Sequence, residues 1–201
     1  IRIVELLNEI IYLDQARLLL VDHPSDLIAL PNERLHLFPP FPEAGMYLAG
    51  GLRPPVAAFD QEGNDILHLV SERDGVYAEP NAYLPYEGFA EEYSIVLDLG
   101  DLSNLEDIPL VLDGWTHYVT SYGLHQASQA GVGPMLPRLD VVDQEGEWTP
   151  VAMDMGFPGG QPKTMTFDLT GKFPTDDFRV RITTNLQLFW DQILVGSSPG
   201  E

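Results

Sequence analysis

Trp115, His117, Tyr118, Tyr122 and His125 fall within eleven residues, in the stretch GWTHYVTSYGLH. Aromatic rings at the rim of a loop can stack on sugar rings, so these five are the candidate ligand-binding residues. On a strand leading into a loop, Trp115 and His117 share one face and Tyr118 takes the other. Burial of Trp115 in a sandwich core competes with that role and is the expected outcome. His117 and His125 are eight positions apart, with no third imidazole nearby and no cysteine in the chain, so a zinc set is not expected.

Asp191 is the second candidate. It interrupts the apolar run FWDQILV, where an unpaired buried carboxylate is expensive. Backbone amides, Arg179 or Arg181 are partners within its reach in sequence terms. The segment MGFPGGQPKTMTF holds adjacent glycines, two prolines and Lys163. It lacks the Walker spacing and a following helix, so it reads as a tight structural loop in which Gly159 and Gly160 are free to adopt positive φ. No catalytic pair of carboxylates, and no set of Ser, His and Asp, stands out from the surface acids. A hydrolase is therefore the weakest of the functional classes.

Ten basic residues against 31 acidic ones give a net charge of −21. Such a charge repels phosphate backbones and anionic lipid surfaces and favours cations or basic partners. Nucleic acid is not an expected partner. Membrane insertion is not expected either, because no run approaches the roughly 18 apolar residues of a membrane helix. The excess of acid also serves simply as a solvated, aggregation-resistant surface. With no cysteine, disulfides and thiolate metal sites are excluded. The chain starts at Ile1 without a hydrophobic signal segment and reads as a processed chain or a fragment.

The elements that must position these residues read as strands. FRVRITTN alternates, with Val180 and Ile182 inward and Arg179, Arg181 and Thr183 toward water; Asn185 then breaks the run before LQLFWDQILV. Upstream, SIVLDLG, IPLVLDGWTHYVT, the hairpin PRLDVVDQEGEWTPV with Gly146 at its tip, and KTMTFDLTGKF complete a set of short strands. VAAFDQEGNDILHLV reads as a further hairpin turning at Asp60 to Asn64. YGLHQASQAGVG reads as a loop with one helical turn. The proline-rich stretch from Pro31 to Pro55 reads as a connector draped over a neighbouring surface, without central strands. Residues 1 to 24 read as strands. Setting Arg179, Asn185, Asp191 and Gln192 over Arg2, Asn8, Asp14 and Gln15 leaves both duplication and coincidence open.

Many short strands with turn signals and no long amphipathic helix predict an all-β, antiparallel β-sandwich. A soft boundary near Gly88 divides it into residues 1–88, with the N-terminal strands, proline-rich arm and hairpin, and residues 89–201, the sandwich proper.

IVLDLG, LDVVDQEGEWTPV and FRVRI with FWDQILV, in that order, resemble a galactose-binding-like jelly roll of the discoidin and carbohydrate-binding-module kind. YLDQARLLLVDHP, NERLHLFPPFPE, RPPVAAFDQEG, MGFPGGQPKTMTFDLTGKF and TTNLQLFWDQILV resemble the C-terminal region of bacterial secreted proteins with FG-GAP repeats and an ASPIC/UnbV segment, relatives of cartilage acidic protein. These resemblances imply an extracellular or periplasmic module that binds a glycan or a protein surface. Alternatively it is an assembly domain packed on a second copy, as a homo-oligomer, or on a β-propeller neighbour. The jelly-roll likeness also implies a structural calcium ion held by Asp191 with Glu91 or Glu92, since calcium takes six to eight oxygens. DQEGND and DQEGEW lack the carboxylate spacing of an FG-GAP calcium loop, so none is carried onto them.

Overall fold

The computed structural model describes residues 14, 15, 20, 22–37, 39, 41 and 45–197. The strands read into residues 1 to 24, and the duplication built on them, lie almost wholly outside these. Ten strands and two short helices follow one another as β1 (Ile28–Pro31), β2 (Met46–Arg53), β3 (Ala57–Asp60), α1 (Leu67–Val70), β4 (Phe89–Asp98) and β5 (Pro109–Thr116). Then come α2 (Ser121–Gln129), β6 (Arg138–Val142), β7 (Trp148–Ala152), β8 (Gly160–Asp168), β9 (Arg179–Leu186) and β10 (Leu188–Ser197). They form two five-stranded antiparallel sheets, ordered β1-β2-β10-β5-β8 and β3-β4-β9-β6-β7. The protein is an all-β sandwich.

Alternation builds the core. Ile95 and Leu97 of β4, Leu139 and Val141 of β6, and Val180 and Ile182 of β9 are buried in one cluster with Leu110 and Leu112 of β5, Met165 and Phe167 of β8, and Trp190, Ile193 and Val195 of β10. Side chains of opposite parity on these strands face outward. The outward face of β9 is less wet than its sequence implies: Arg179 is exposed, but Arg181 is half-buried against Asp140 and Thr183 is buried.

Four local expectations are corrected. Asn185 does not end a strand, because its amide group is satisfied sideways: its Oδ1 accepts from Met135 N at 2.7 Å and its Nδ2 donates to Gly133 O at 2.8 Å. The break falls at Gln187, between β9 and β10. The second arm of the 56–70 hairpin becomes α1, which follows a local turn in which Asp65 Oδ1 accepts from Leu67 N at 2.9 Å. The 121–129 segment is a full nine-residue helix. Thr120 caps its first turn by accepting from Gly123 N at 3.0 Å. A Schellman closure ends it, with Val132 N bonded to Ala127 O and Gly131 N to Ser128 O.

Finally, the proline-rich stretch contains β2, which lies inside the first sheet because MYLAGGLR is free of proline. Only its first part drapes, and it does so on the sandwich itself. Glu33 N donates to Thr164 O at 2.9 Å, and Leu35 and Phe157 exchange backbone bonds of 2.8 and 3.1 Å. Both sheets mix strands from before and after Gly88. Among the described residues no helix is long and apolar enough to cross a membrane.

Candidate functional site

Trp115 does not enter the core. On β5, Leu110 and Leu112 point inward, so Val111, Asp113 and Trp115 share the outer face. The tryptophan that fills the core is Trp190, 1% exposed. Trp115 is half-buried and stacks on Phe189 of the paired strand β10, with centroids 4.2 Å apart and planes at 9°. Tyr77 meets both rings edge-on at 6.2 and 6.3 Å. His117 lies 6.2 Å from Trp115 on the same face, as its spacing predicts.

β5 runs between β10 and β8. Phe189 therefore backs the indole from the β10 side, and an open cleft of about 670 Å³ lies toward β8. Tyr77, Trp115, Thr116, Tyr118 and the Gly159–Lys163 segment line it. Tyr118 joins Trp115 here instead of taking the opposite face, because β5 ends at Thr116 and strict alternation ends with it. Tyr122 and His125 ride on the exposed side of α2, outside the cleft. Tyr122 Oη accepts from Gln126 Nε2 at 2.8 Å.

Two anchors shape the cleft. The buried Thr116 hydroxyl donates to Pro158 O at 2.6 Å, tying the end of β5 to the glycine loop. In that loop Gly160 has φ +75°, whereas Gly159 does not take positive φ, and a Cβ there would stand 2.8 Å from the Leu35 side chain. The opposite wall is the 71–78 loop, which carries Tyr77. Asp191 Oδ1 accepts from Asp74 N at 3.1 Å and Gly75 N at 3.0 Å. Gln192 Nε2 donates to Ser71 O at 3.0 Å, and Ala78 exchanges backbone bonds of 2.8 and 3.0 Å with Trp190.

Asp191 thus satisfies its carboxylate on turn amides. Arg179 and Arg181 pair elsewhere, with Asp177 and Asp140. Glu91 and Glu92 are exposed on β4 of the other sheet. Among the described residues no group of three or more His, Asp or Glu is arranged to hold a metal ion. Asp113, 6% exposed, sits near enough to Asp191 to interact electrostatically. Burial pushes its carboxyl above the ordinary range; the Thr164 hydroxyl, which donates to Oδ1, and Arg73 Nη1 at 3.5 Å pull the other way. Both carboxylates are engaged in holding neighbouring segments.

Tyr77, Phe189, Gln161 and Lys163 are site residues that the sequence reading did not single out for binding. Phe189 and Trp115 carried the available signal, since aromatic residues on adjacent strands pair across a sheet face. No family model, curated protein or solved structure matches the chain.

Proposed function

We propose that this chain is a noncatalytic extracellular β-sandwich module that binds a glycan in the Trp115 cleft. The observation that carries the reading is the half-buried Trp115, held flat by Phe189 and Tyr77 at the wall of an open cleft instead of in the core. Rings fixed in advance lose little conformational freedom on binding, and stacking on a sugar face needs such a surface. Gln161 and the glycine-loop backbone give hydrogen-bonding groups beside it. The test is a glycan array probed with the wild-type chain and Trp115→Ala. Saturable binding to one sugar class that the variant loses supports the reading, and absence of binding to every glycan sinks it.

A second reading is assembly on a copy of this chain or on a neighbouring domain. Ile28, Leu35, Leu37, Phe41 and Met46 are exposed by 52, 46, 45, 64 and 39%, an apolar run along the arm. Light scattering across a concentration series tests it: a stable dimer that Leu37→Glu disperses favours this reading, and a monomer throughout excludes self-assembly.

A further inference from the structure

Resting on the assembly reading and independent of the glycan one, we propose that two copies of this chain join by exchange. The β1–β2 hairpin, Ile28 to Arg53, of each copy seats on the sandwich of the other, in the place it occupies on its own. The hairpin is separable because the core does without it. Among the described residues the buried apolar cluster runs from Ala58 to Val195, and no residue of the hairpin belongs to it or packs against it. A segment with few buried apolar contacts opens at lower cost than the core it lies on.

What holds the hairpin is polar and lies at two margins of the first sheet. On one side β2 pairs with β10 at Arg53 with Val195 and at Gly50 with Ser197, across a register shift. On the other, the segment after β1 lies along β8 and the loop before it. Asn32 Oδ1 accepts from Thr166 N at 3.2 Å, Glu33 N donates to Thr164 O at 2.9 Å, and His36 Nδ1 stands 3.4 Å from Asp154 Oδ2. This second seam is incompletely satisfied. Arg34 Nε and His36 Nε2 of the hairpin and Thr166 Oγ1 of β8 are buried without partners among the described residues, and an unpaired buried polar atom costs free energy. The connection to the body is Pro54, Pro55 and Val56, between β2 and β3. Two successive prolines fix their own φ and keep the residue before each extended, so this hinge is short and stiff. Such a hinge leaves the chain few ways to close on its own body, whereas exchange makes every hairpin contact again between copies. It also adds contacts. Val56 is 57% exposed at the hinge itself, where two crossing linkers would cover it, and Leu37 and Phe41 lie exposed on the hairpin.

The chain has no cysteine, so an introduced disulfide can report which hairpin sits on which body. A Cβ built on Gly159 lies 3.3 Å from the Leu35 Cβ, close to the roughly 3.5–4.5 Å that a disulfide spans. Leu35→Cys and Gly159→Cys, prepared separately, are mixed while dilute, then concentrated and oxidised, and the linked peptides are identified by mass spectrometry. Exchange predicts a bond from position 35 of one copy to position 159 of the other in about half of the dimer, the statistical share of mixed pairs. In the double variant the same bond should form within one chain at high dilution and between chains as concentration rises. A flexible Gly-Ser stretch placed after Pro55 of the otherwise unchanged chain should weaken dimerisation about tenfold or more, because the hairpin then closes freely on its own body. Two results overturn exchange and leave assembly through the apolar arm standing. One is a dimer by light scattering with no such bond between copies, although the double variant closes it within one chain; the other is a dimer indifferent to the longer linker. A chain that stays monomeric at every concentration removes the assembly reading and this proposal together.

Discussion

Asp140→Ala is expected to be strongly destabilising, although Asp140 is remote in function from the cleft. Asp140 lies on the outer face of β6, 1% exposed. Its Oδ2 accepts from Arg181 Nη2 at 2.7 Å and Nε at 3.0 Å across the β6–β9 ladder, and from Arg138 Nη2 at 3.1 Å. Arg138 Nε approaches Oδ1 to 2.9 Å but at an angle too poor for a hydrogen bond. Arg181 also spreads over the Trp148 ring at 4.8 Å, so the carboxylate links β6, β7 and β9. Removing one member of a buried ion group costs about 3–5 kcal/mol because the remaining charges lose their counter-ion. Here the guanidiniums are 31 and 25% exposed and regain some water, so the lower half of that range applies. About 3 kcal/mol in a domain of this size lowers Tm by roughly 6–12 °C. Urea and thermal melts of Asp140→Ala measure it, with Arg181→Leu and the double variant closing a cycle. Coupling above about 1 kcal/mol is expected between the two positions. Replacing all three charged residues by apolar ones of similar volume should cost far less than Asp140→Ala alone. A single variant within about 0.5 kcal/mol of wild type would refute the reasoning, since that is the behaviour of an ordinary surface position.

Asp191→Ala strands the Asp74 and Gly75 amides and should cost about 1–3 kcal/mol. Because that loop holds Tyr77, glycan binding should weaken in the same variant, whereas Asp191→Asn, which keeps an acceptor, should recover part of both losses in melts and titrations. Asp113 carries a pH signature. Its raised carboxyl pKa means that the folded state holds a proton the unfolded chain releases near 3.8, so this contribution is complete below that pH and is lost as pH rises through the raised value. Asp113→Asn keeps an acceptor for Thr164 and gives up only the long contact to the half-exposed Arg73. Urea melts should therefore show it gaining on the wild type at neutral pH and not at pH near 3.5, and a gain equal at both values would contradict the assignment.

The sandwich was legible because its strongest signals are local. Val180 and Ile182 alternate with polar neighbours, and Gly146 closes the β6–β7 hairpin at φ +84°. Such features require no knowledge of distant contacts. Where a distant partner decides, the reading failed. Asn185 looks like a breaker until Gly133 and Met135 are beside it, and MYLAGGLR looks like part of a connector until β10 pairs with it. Helix α2 lacked apolar periodicity, and its limits come from a threonine cap and a glycine closure whose geometry a loop reading overlooks.

The site shows the same division in its two most informative residues. Trp115 was expected inside, yet Asp113, two positions earlier, has the same parity on β5. Either both residues face the core or neither does, and a buried carboxylate with no assured partner makes the first choice costly. The outward direction of Trp115 was therefore present in the spacing of GWT after LVLD. On β10 parity alone misleads. Strict alternation from Leu188 and Trp190 would turn Ile193 outward, but the register shifts between Trp190 and Gln192, and Ile193 is fully buried. A bulge at Asp191 accounts for this by adding one residue and returning the following apolar residues to the core. The acid that interrupts the apolar run marks the irregularity, and its carboxylate receives the amides of the loop docked there. Asp191 is thus the seat of a loop, and that loop delivers Tyr77 to the wall of the cleft.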